Sequence, residues 1–255
     1  MLEVIVATLN VHGRADRWLA RRHLLAAQIV DAQPDLVALQ EVSLPIRQGH
    51  WLRNQVNFRL SGSARGPYRL VYQRRRHLVA GYLQGVAVLS KWPIIYQDSL
   101  ALGHGGCVAL RVNVRLSTHQ TLDFVTTQLV HAPYAREARE EQALKLLGWL
   151  SSLRRVPLQV VAGDFNEGPQ GLAIHKMRQA FRSAYAAANG REPLATYPTA
   201  LRGGVAEPSA CLDYIFVSRA VRRVTAARLF GANPDAADET LYPSDHVGIL
   251  ATLGV

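Results

Sequence analysis

The chain has 255 residues, of which 49% are hydrophobic and 19% charged, close to the averages of globular proteins, so a disordered, coiled-coil or collagen-like chain is excluded. Its 29 basic and 19 acidic residues give a formal net charge of +10, which is typical of proteins that meet polyanions, although codon bias toward arginine produces the same excess. No apolar run approaches the ~20 residues that cross a bilayer, and the N-terminal sequence MLEVIVATLNVHG lacks the features of a signal peptide.

These properties predict a cytoplasmic protein of one domain over residues 1–255, and we expect a monomer. Cys107 and Cys211 are the only cysteines. Two cysteines can form one disulfide, but they cannot make a disulfide scaffold or a cysteine-rich zinc site.

The start of the chain predicts a β-α-β unit. Residues 4–9 and 36–39 are mostly apolar, as in strands that are buried on both faces. Between them, apolar residues at helical spacing predict a helix from Trp18 that ends before Pro34. Residues 43–67 mix Pro, Gly, Asn and Arg, which indicates a long surface excursion.

Short strand-like runs separated by turn residues fill the middle of the chain, which predicts an antiparallel meander over 68–73, 81–90, 94–102, 107–116 and 121–129. A helix is predicted over 134–153, with Arg139 on its water-facing side. The remaining predicted elements are strands at 158–162, 212–217, 222–230 and 246–253 and a helix at 172–181. Together they predict two sheets covered by helices.

Polar and acidic side chains stand at the ends of these predicted strands, where a rigid scaffold can hold them around one pocket. They are Asn10, Glu41, Asp164, Asn166, Asp245 and His246. Each one alone is equally typical of a turn or a solvated loop. Their order along the chain is far more specific.

Six motifs follow one another: TLNVHG at 8–13, LQEV at 39–42, AVLSKWPI at 87–94, GDFN at 163–166, LDYIFVS at 212–218 and SDHVGI at 244–249. In this order they resemble the endonuclease/exonuclease/phosphatase superfamily, magnesium-dependent phosphodiesterases that include deoxyribonucleases, apurinic endonucleases, neutral sphingomyelinases and inositol phosphate phosphatases. The resemblance implies an α/β fold, a four-layer sandwich with two central mixed, mainly antiparallel sheets flanked by helices. It also implies a phosphoric ester hydrolase in which water attacks phosphorus in line.

The resemblance makes Glu41 the principal Mg²⁺ ligand, helped by Asn10 and Asp245, with Mn²⁺ as a substitute; oxygen ligands of this kind suit Mg²⁺. Asp164 and Asn166 match the pair that orients the attacking water and holds the phosphoryl oxygens.

His246 matches the catalytic histidine and Asp213 the carboxylate that orients its ring, a pairing that raises the imidazole pKa. The imidazolium then stabilises the charge on a pentacovalent phosphate. The sequence leaves open whether Asp164 or His246 takes the proton from the attacking water.

Two positions depart from the family pattern. Gln128 stands where many members carry a histidine that helps hold the scissile phosphate; it can donate a hydrogen bond but carries no charge. His131 is a candidate substitute, and an ordinary loop histidine is the alternative. His12 stands where apurinic endonucleases carry an aspartate, which favours a single Mg²⁺. Tyr197 lies in a loop that the family places beside the active site, and completes the candidate substrate contacts.

Two further groups of residues each allow two interpretations. The run from Arg74 to His77 lies on a predicted hairpin turn, where it is either a solvated turn or a grip on a polyanion backbone. Arg139 and Gln142 match a helix pattern of the family, and a solvated helix face is the simpler interpretation.

The leading hypothesis is therefore a phosphodiesterase or nuclease, with nucleic acid, a phospholipid head group or a sugar phosphate as its substrate. The alternative from another class is a binding module that has lost turnover, because Gln128 replaces the histidine.

Overall fold

The computed structural model describes residues 2–62, 67–77, 79, 83–132, 134–153, 156–203 and 208–255. Within these ranges the chain forms two six-stranded sheets. The first has the order β11-β12-β1-β2-β4-β3 and contains β1 (Glu3–Asn10), β2 (Leu36–Ser43), β3 (Arg69–Arg74), β4 (Gln84–Ser90), β11 (Arg223–Phe230) and β12 (Gly248–Gly254). The second has the order β5-β6-β7-β8-β10-β9 and contains β5 (Ile94–Ala101), β6 (Val108–Arg115), β7 (Thr121–Gln128), β8 (Gln159–Asp164), β9 (Arg182–Ser183) and β10 (Asp213–Val217).

Both sheets are mixed. β1 pairs with β2 and β7 pairs with β8 in parallel, whereas the other strand pairs in the described ranges are antiparallel. Five helices accompany the sheets within these ranges: α1 (Trp18–Ala32), α2 (Gln48–Arg59), α3 (Arg136–Ser152), α4 (Leu172–Ala180) and α5 (Ala184–Asn189). The predicted fold class, two mixed and mainly antiparallel sheets flanked by helices, is confirmed.

The apolar residues divide into three layers. Val4, Val6 and Phe124 belong to the core between the two sheets. Leu9 belongs to the layer between the first sheet and α1 and α2, and Val161 to the layer between the second sheet and α3 and α4. Because both faces of the central strands are buried, these strands lack the apolar-polar alternation of a half-exposed sheet.

Two predictions about the elements are wrong. Residues 43–67 are not a continuous excursion, because α2 occupies Gln48–Arg59 and buries Leu52 and Val56 against β2. Its remaining side chains are mostly polar, which hides the helical period. The predicted meander is also divided, since β3 and β4 belong to the first sheet and β5, β6 and β7 to the second. The pattern of one strand does not reveal which sheet it joins. Residues 81 and 82, at the start of a predicted strand, lie outside the described residues.

Cys107 and Cys211 are both free and buried. No helix in the described part of the chain is long and apolar enough to span a membrane. The single domain, the monomeric state and the cytoplasmic location stay predictions.

Candidate active site

The candidate site lies at one edge of the core between the sheets. Successive residues of a strand point to opposite faces, so Asn10 continues the row of Val4 and Val6 that faces the second sheet. Asp164 likewise continues the inward row of β8, and Asp213 begins that of β10. Asp164 and Asp213 are register partners on neighbouring strands. On the faces that the two sheets turn toward each other, the side chains therefore change from apolar to polar at the same edge of the core.

A layer of buried hydrogen bonds separates the apolar core from this edge. The side chain of Gln40 donates to the hydroxyl of Thr126 at 3.0 Å and to that of Thr8 at 3.2 Å. This contact joins β1 and β2 of the first sheet to β7 of the second. It fixes the separation of the strand ends that carry the site.

Glu41 reaches the site because β2 is bulged. The register with β4 advances from Leu39 to Val42 while the partner strand advances only from Ala87 to Gly85, and Glu41 has a left-handed backbone with φ of 55°. Regular alternation would direct Glu41 toward the helices, on the side of Leu39. The bulge turns its carboxylate toward the opening between the sheets, as bulges beside active sites commonly do.

Two amide side chains bridge the carboxylates of Glu41 and Asp164. The Nδ2 atom of Asn10 lies 3.0 Å from Oε1 of Glu41 and 3.0 Å from Oδ2 of Asp164. The Nε2 atom of Gln128 lies 2.8 Å and 3.1 Å from the same two oxygens. Burial works to raise the pKa of Glu41, but these amide donors, with His246 and His12 nearby, outweigh burial and lower it.

The GDFN segment forms a tight turn around Asp164. Oδ1 of Asp164 accepts the backbone N–H of Asn166 at 2.9 Å, and the Asn166 side chain donates to the Leu129 carbonyl at 3.0 Å. Asn166 has φ of 49°, a conformation that asparagine tolerates better than most residues. Phe165 is fully buried between the two polar residues. The turn thereby directs two polar side chains outward from one apolar anchor.

His246 and Asp213 form a buried pair, with Nδ1 of the ring 2.9 Å from Oδ2 of the carboxylate. Burial lowers the pKa of His246, but Asp213, Asp164 and Asp245 outweigh burial and raise it to about 10. These three carboxylates thus favour the cationic form of the imidazole. The ring of Tyr197 packs against it, with 4.7 Å between the centroids.

His12 and Asp245 form a second pair, 3.0 Å between Nδ1 and Oδ2, while Nε2 of His12 lies 2.8 Å from Asp16. The oxygen of Asn10 accepts the backbone N–H of His12 at 2.9 Å. Asn10 therefore turns its amide nitrogen, and not its oxygen, toward Glu41. Both predicted helpers of the metal are engaged by His12 or its backbone.

Arg21 of α1 is fully buried beneath these loops, and sequence reasoning did not single it out. Its guanidinium donates to the backbone carbonyls of Val11, His12, Gly13, Ala15, Asp16 and Pro243. It thus joins the loop after β1, which carries His12, to the loop before β12, which carries Asp245. An arginine among the apolar positions of a predicted helix was the available sequence signal.

The donor set fits a hard divalent cation. Oε2 of the partly buried Glu41 accepts no hydrogen bond from the described residues, since both amide donors use Oε1. Four carboxylates are brought together here, those of Glu41, Asp164, Asp213 and Asp245, and a divalent cation offsets such a concentration of negative charge. Donor atoms of Asp164, Asp213 and His246 also lie within 4.8 Å of one another. Mg²⁺ prefers oxygen ligands, which favours Glu41 as the centre of the site.

The structure also bears on the predictions for His131 and for Arg139 and Gln142. His131 is exposed, so the loop histidine is the better interpretation. The solvated-face interpretation of Arg139 and Gln142 is wrong. Arg139 is buried in an ion pair with Glu167, and Gln142 accepts the Val130 backbone N–H at 2.9 Å. Both residues fasten the segment after β7 to α3.

Comparison with known proteins supplies a family and a fold. A sequence model of the Endonuclease/Exonuclease/phosphatase family matches residues 7–246. In fold the chain is similar to truncated TDP2 from Caenorhabditis elegans, with a TM-score of 0.79 at 18% identity, over 100% of this chain and 98% of that chain. The human nocturnin catalytic domain, solved with a bound sulfate anion, has a TM-score of 0.74 at 20% identity over 98% and 94% of the two chains.

A mannosyl-6-phosphatase from Bacteroides thetaiotaomicron also has a TM-score of 0.74, at 18% identity, over 98% of this chain and 99% of that chain. No curated protein matches the chain in sequence. At these identities the solved structures establish the similarity of fold. The family match, in contrast, covers nearly the whole chain.

Proposed function

The chain belongs to the endonuclease/exonuclease/phosphatase family, and from this we propose that it is a Mg²⁺-dependent phosphodiesterase that cleaves nucleic-acid strands. Members of the family are typically phosphoester hydrolases. The proposal rests on one observation. The Asp213–His246 pair lies at the same edge of the core as the carboxylates of Glu41 and Asp164, which amide side chains bridge.

Glu41 would hold the Mg²⁺ ion, with water and phosphate oxygens completing its coordination, because Mg²⁺ needs only one or two protein carboxylates. When bound, the ion polarises the phosphoryl group and offsets the negative charge of its oxygens. Asn10 and Gln128 orient the Glu41 carboxylate from the opposite side, through Oε1.

In this proposal Asp164 orients the attacking water and takes its proton. His246 is the less suited of the two to that step, since the neighbouring carboxylates raise its pKa and favour its cationic form. Its fixed positive charge instead stabilises the pentacovalent phosphate and holds a proton for the leaving oxygen. Asp213 orients the imidazolium. Asn166, whose side-chain amide lies 3.3 Å from Oδ2 of Asp164, is a further donor to the phosphoryl oxygens.

A cationic groove beside Glu41 favours a polyanion as the substrate. The cavity that contains Glu41 shares Arg14 with a neighbouring cavity at the start of α1. On its other side it shares Ser43 and Pro45 with a cavity that reaches β3. Of the described residues that line these cavities, Glu41 is the only carboxylate, while the arginines are Arg14, Arg17, Arg22, Arg47 and Arg74.

Such a groove accommodates phosphates on both sides of the cleavage point, as in a nucleic-acid strand. The affinity for a strand should then fall steeply with added salt, because each phosphate contact releases bound counterions. A small sugar phosphate would fill only the cavity at Glu41, and its binding would depend less on salt.

The test is a substrate panel of single-stranded DNA, RNA, bis(p-nitrophenyl) phosphate, a phospholipid and a sugar phosphate, each with Mg²⁺ and with EDTA. We expect EDTA-sensitive cleavage of the nucleic acids. Glu41→Gln and His246→Asn should each lower the rate about 10²-fold or more, which is the range for removing a group that stabilises the transition state. Glu137→Gln and His175→Asn, at exposed positions on α3 and α4, are the matched controls.

Wild-type protein that is inert toward the whole panel overturns the enzymatic proposal. Measurable Mg²⁺ affinity in that inert protein would favour the binding module instead. Hydrolysis confined to the phospholipid or the sugar phosphate would reject nucleic acid as the substrate while retaining the chemistry.

A further inference from the structure

Arg75 approaches the candidate site through Gln128. It follows β3 directly, and its Nη2 atom donates to the amide oxygen of Gln128. The amide nitrogen of Gln128 donates in turn to Glu41 and Asp164, at 2.8 and 3.1 Å. One amide group thus separates a guanidinium from the two bridged carboxylates.

The chemistry of these partners fixes the orientation of the amide. A guanidinium only donates hydrogen bonds, and an ionised carboxylate only accepts them. The oxygen of Gln128 must therefore face Arg75, while its nitrogen faces Glu41 and Asp164. In the flipped orientation, the NH₂ group of Gln128 would face the guanidinium donors of Arg75, and its oxygen would face the carboxylate oxygens of Glu41 and Asp164.

The segment that carries Arg75 contacts the second sheet. The backbone N–H of Arg76 donates to the Gly106 carbonyl at 2.8 Å, in the turn between β5 and β6. Gly106 has φ of 66°, and a Cβ atom there would lie 2.5 Å from Cβ of His77. Glycine permits this close approach. The backbone N–H of Arg75 also donates to Gln84 at 3.2 Å, which joins the segment to β4.

The charge of Arg75 has no carboxylate partner in the described part of the chain, and the bond to Gln128 uses only one of its five N–H donors. Arg76, its neighbour, contacts instead the hydroxyl of Ser99 at 3.4 Å on the surface. A partly buried guanidinium with free donors, close to carboxylates that it does not neutralise, is suited to bind an oxyanion.

We propose that Arg75 binds a non-bridging oxygen of the phosphate ester and, through Gln128, holds the Glu41–Asp164 pair in position. The inference rests on the phosphoesterase function proposed above. Of the four basic residues from Arg74 to His77, it assigns the contact with phosphate to Arg75. The cation at this side of the site thus comes from the β3–β4 connection.

The kinetic test compares Arg75→Gln with Arg76→Gln, because each removes one positive charge from the same segment. We expect Arg75→Gln to lower kcat/KM about 10- to 100-fold, the effect of losing one charge-assisted hydrogen bond, and Arg76→Gln to stay within about twofold of the wild type. Arg75→Lys should recover only part of the loss, since lysine keeps the charge without the fork of donors. Equal losses in the two glutamine variants would overturn the inference.

A second measurement does not depend on turnover. Inorganic phosphate is titrated into the protein in Mg²⁺ buffer while NMR follows the side-chain amide of Gln128. We expect saturable shifts in the wild type and in Arg76→Gln, and at least a tenfold weaker affinity in Arg75→Gln. Equal phosphate affinity in all three proteins overturns the role of Arg75. An inert wild type that still binds phosphate through Arg75 overturns the proposed function alone and supports this inference.

Discussion

Asp213 and His246 share a hydrogen bond of 2.9 Å between Oδ2 and Nδ1, and both side chains are buried. The backbone N–H of Asp213 is bound by the hydroxyl of Thr196 at 3.1 Å, and Tyr197 packs on the imidazole. Adjacent residues of one loop, Thr196 and Tyr197, therefore hold both members of the pair. Its protonation state decides which chemical role each member can take.

The first prediction concerns stability against pH in the metal-free protein. His246 has a raised pKa of about 10 in the native state and roughly 6.5 when unfolded. The stabilisation that His246 gives to the native state is fully present below its unfolded pKa and is lost as the pH rises through its native pKa. We expect the Tm in EDTA to fall from pH 7 to 8.5. Cys107 and Cys211, whose pKa values burial raises, add to the fall as the pH approaches about 8.5, whereas Tyr214 adds to it only at about pH 10.

The control for this prediction is Asp213→Asn, which removes the carboxylate that stabilises the imidazolium. We expect a shallower fall of the Tm over the same pH range. By NMR, the ring protons of His246 should show an imidazolium at pH 8 in the wild type and a neutral ring in the variant. An unprotonated wild-type ring at pH 8 would contradict the assignment of Asp164 as the base.

The second prediction concerns the metal. Mg²⁺ that binds only the native state raises the Tm, and at 100 times its Kd the gain is about 2.7 kcal/mol, or roughly 5–10 °C for a chain of this size. Glu41→Gln should reduce this shift to about 1 °C or less, because the ligand with an oxygen free of amide donors is lost.

Glu137→Gln should keep the full Mg²⁺-induced shift, because Glu137 is exposed on α3. In EDTA, Glu41→Gln should be less stable than the wild type, since the lowered pKa of Glu41 means that its ionised carboxylate stabilises the native state. If Glu41→Gln retains the shift, the ion is bound elsewhere, with the group of Asp164, Asp213 and His246 as the next candidate.

The sequence predicts the fold well because its strongest signals are local. Buried strands show apolar runs, and the strand ends show where polar residues replace them, which was sufficient to select Asn10, Glu41 and Asp164. The directions of these side chains could not be predicted. The backbone N–H of His12 determines the orientation of the Asn10 amide. A bulge in the pairing of β2 with β4 determines the direction of the Glu41 side chain.

Contacts between distant segments explain the remaining differences. Arg75 and Gln128 are 53 positions apart and belong to different sheets, so no local period connects them. Arg139 lies on the polar side of its predicted helix, and only the fold brings Glu167 to it. His131 lies just beyond the predicted strand that contains Gln128, yet its side chain is exposed. Sequence proximity to a strand end is thus not a sufficient signal for a place in the site.

The third prediction concerns Arg21. Burial lowers its pKa to about 10, although Asp245 and Asp16 act against burial. Arg21→Met should lower the free energy of unfolding by about 2–4 kcal/mol, because it leaves several buried carbonyls without a donor. Activity should fall as well, since the loops that carry His12 and Asp245 lose their common support. Urea denaturation and initial rates check the two effects.

Arg22→Met is the matched control for Arg21→Met. Arg22 is the next residue of α1, and its guanidinium lies 4.9 Å from the ring centroid of Trp51 at the surface. We expect a loss of about 1 kcal/mol or less and an unchanged rate toward bis(p-nitrophenyl) phosphate, a substrate too small to extend along the arginine-lined groove. Equal destabilisation in the two variants would show that the carbonyls around Arg21 do not depend on it.

The fourth prediction concerns Phe165, the apolar anchor of the GDFN turn. Its ring makes edge contacts with Tyr214 and Phe216, at centroid distances of 5.7 and 5.2 Å. Phe165→Ala should lower the free energy of unfolding by about 3–5 kcal/mol. Phe165→Leu retains more of the packing, and should fold while placing Asp164 and Asn166 less firmly, because edge contacts between aromatic rings are lost.

We therefore expect Phe165→Leu to lower kcat about tenfold with little change in KM, since a small displacement of reacting groups acts mainly on the transition state. Phe58→Leu is the control: Phe58 is 75% exposed on α2, so neither stability nor rate should change. Wild-type kcat in Phe165→Leu, together with the expected loss of stability, would mean that the backbone hydrogen bonds of the turn hold Asp164 without the ring.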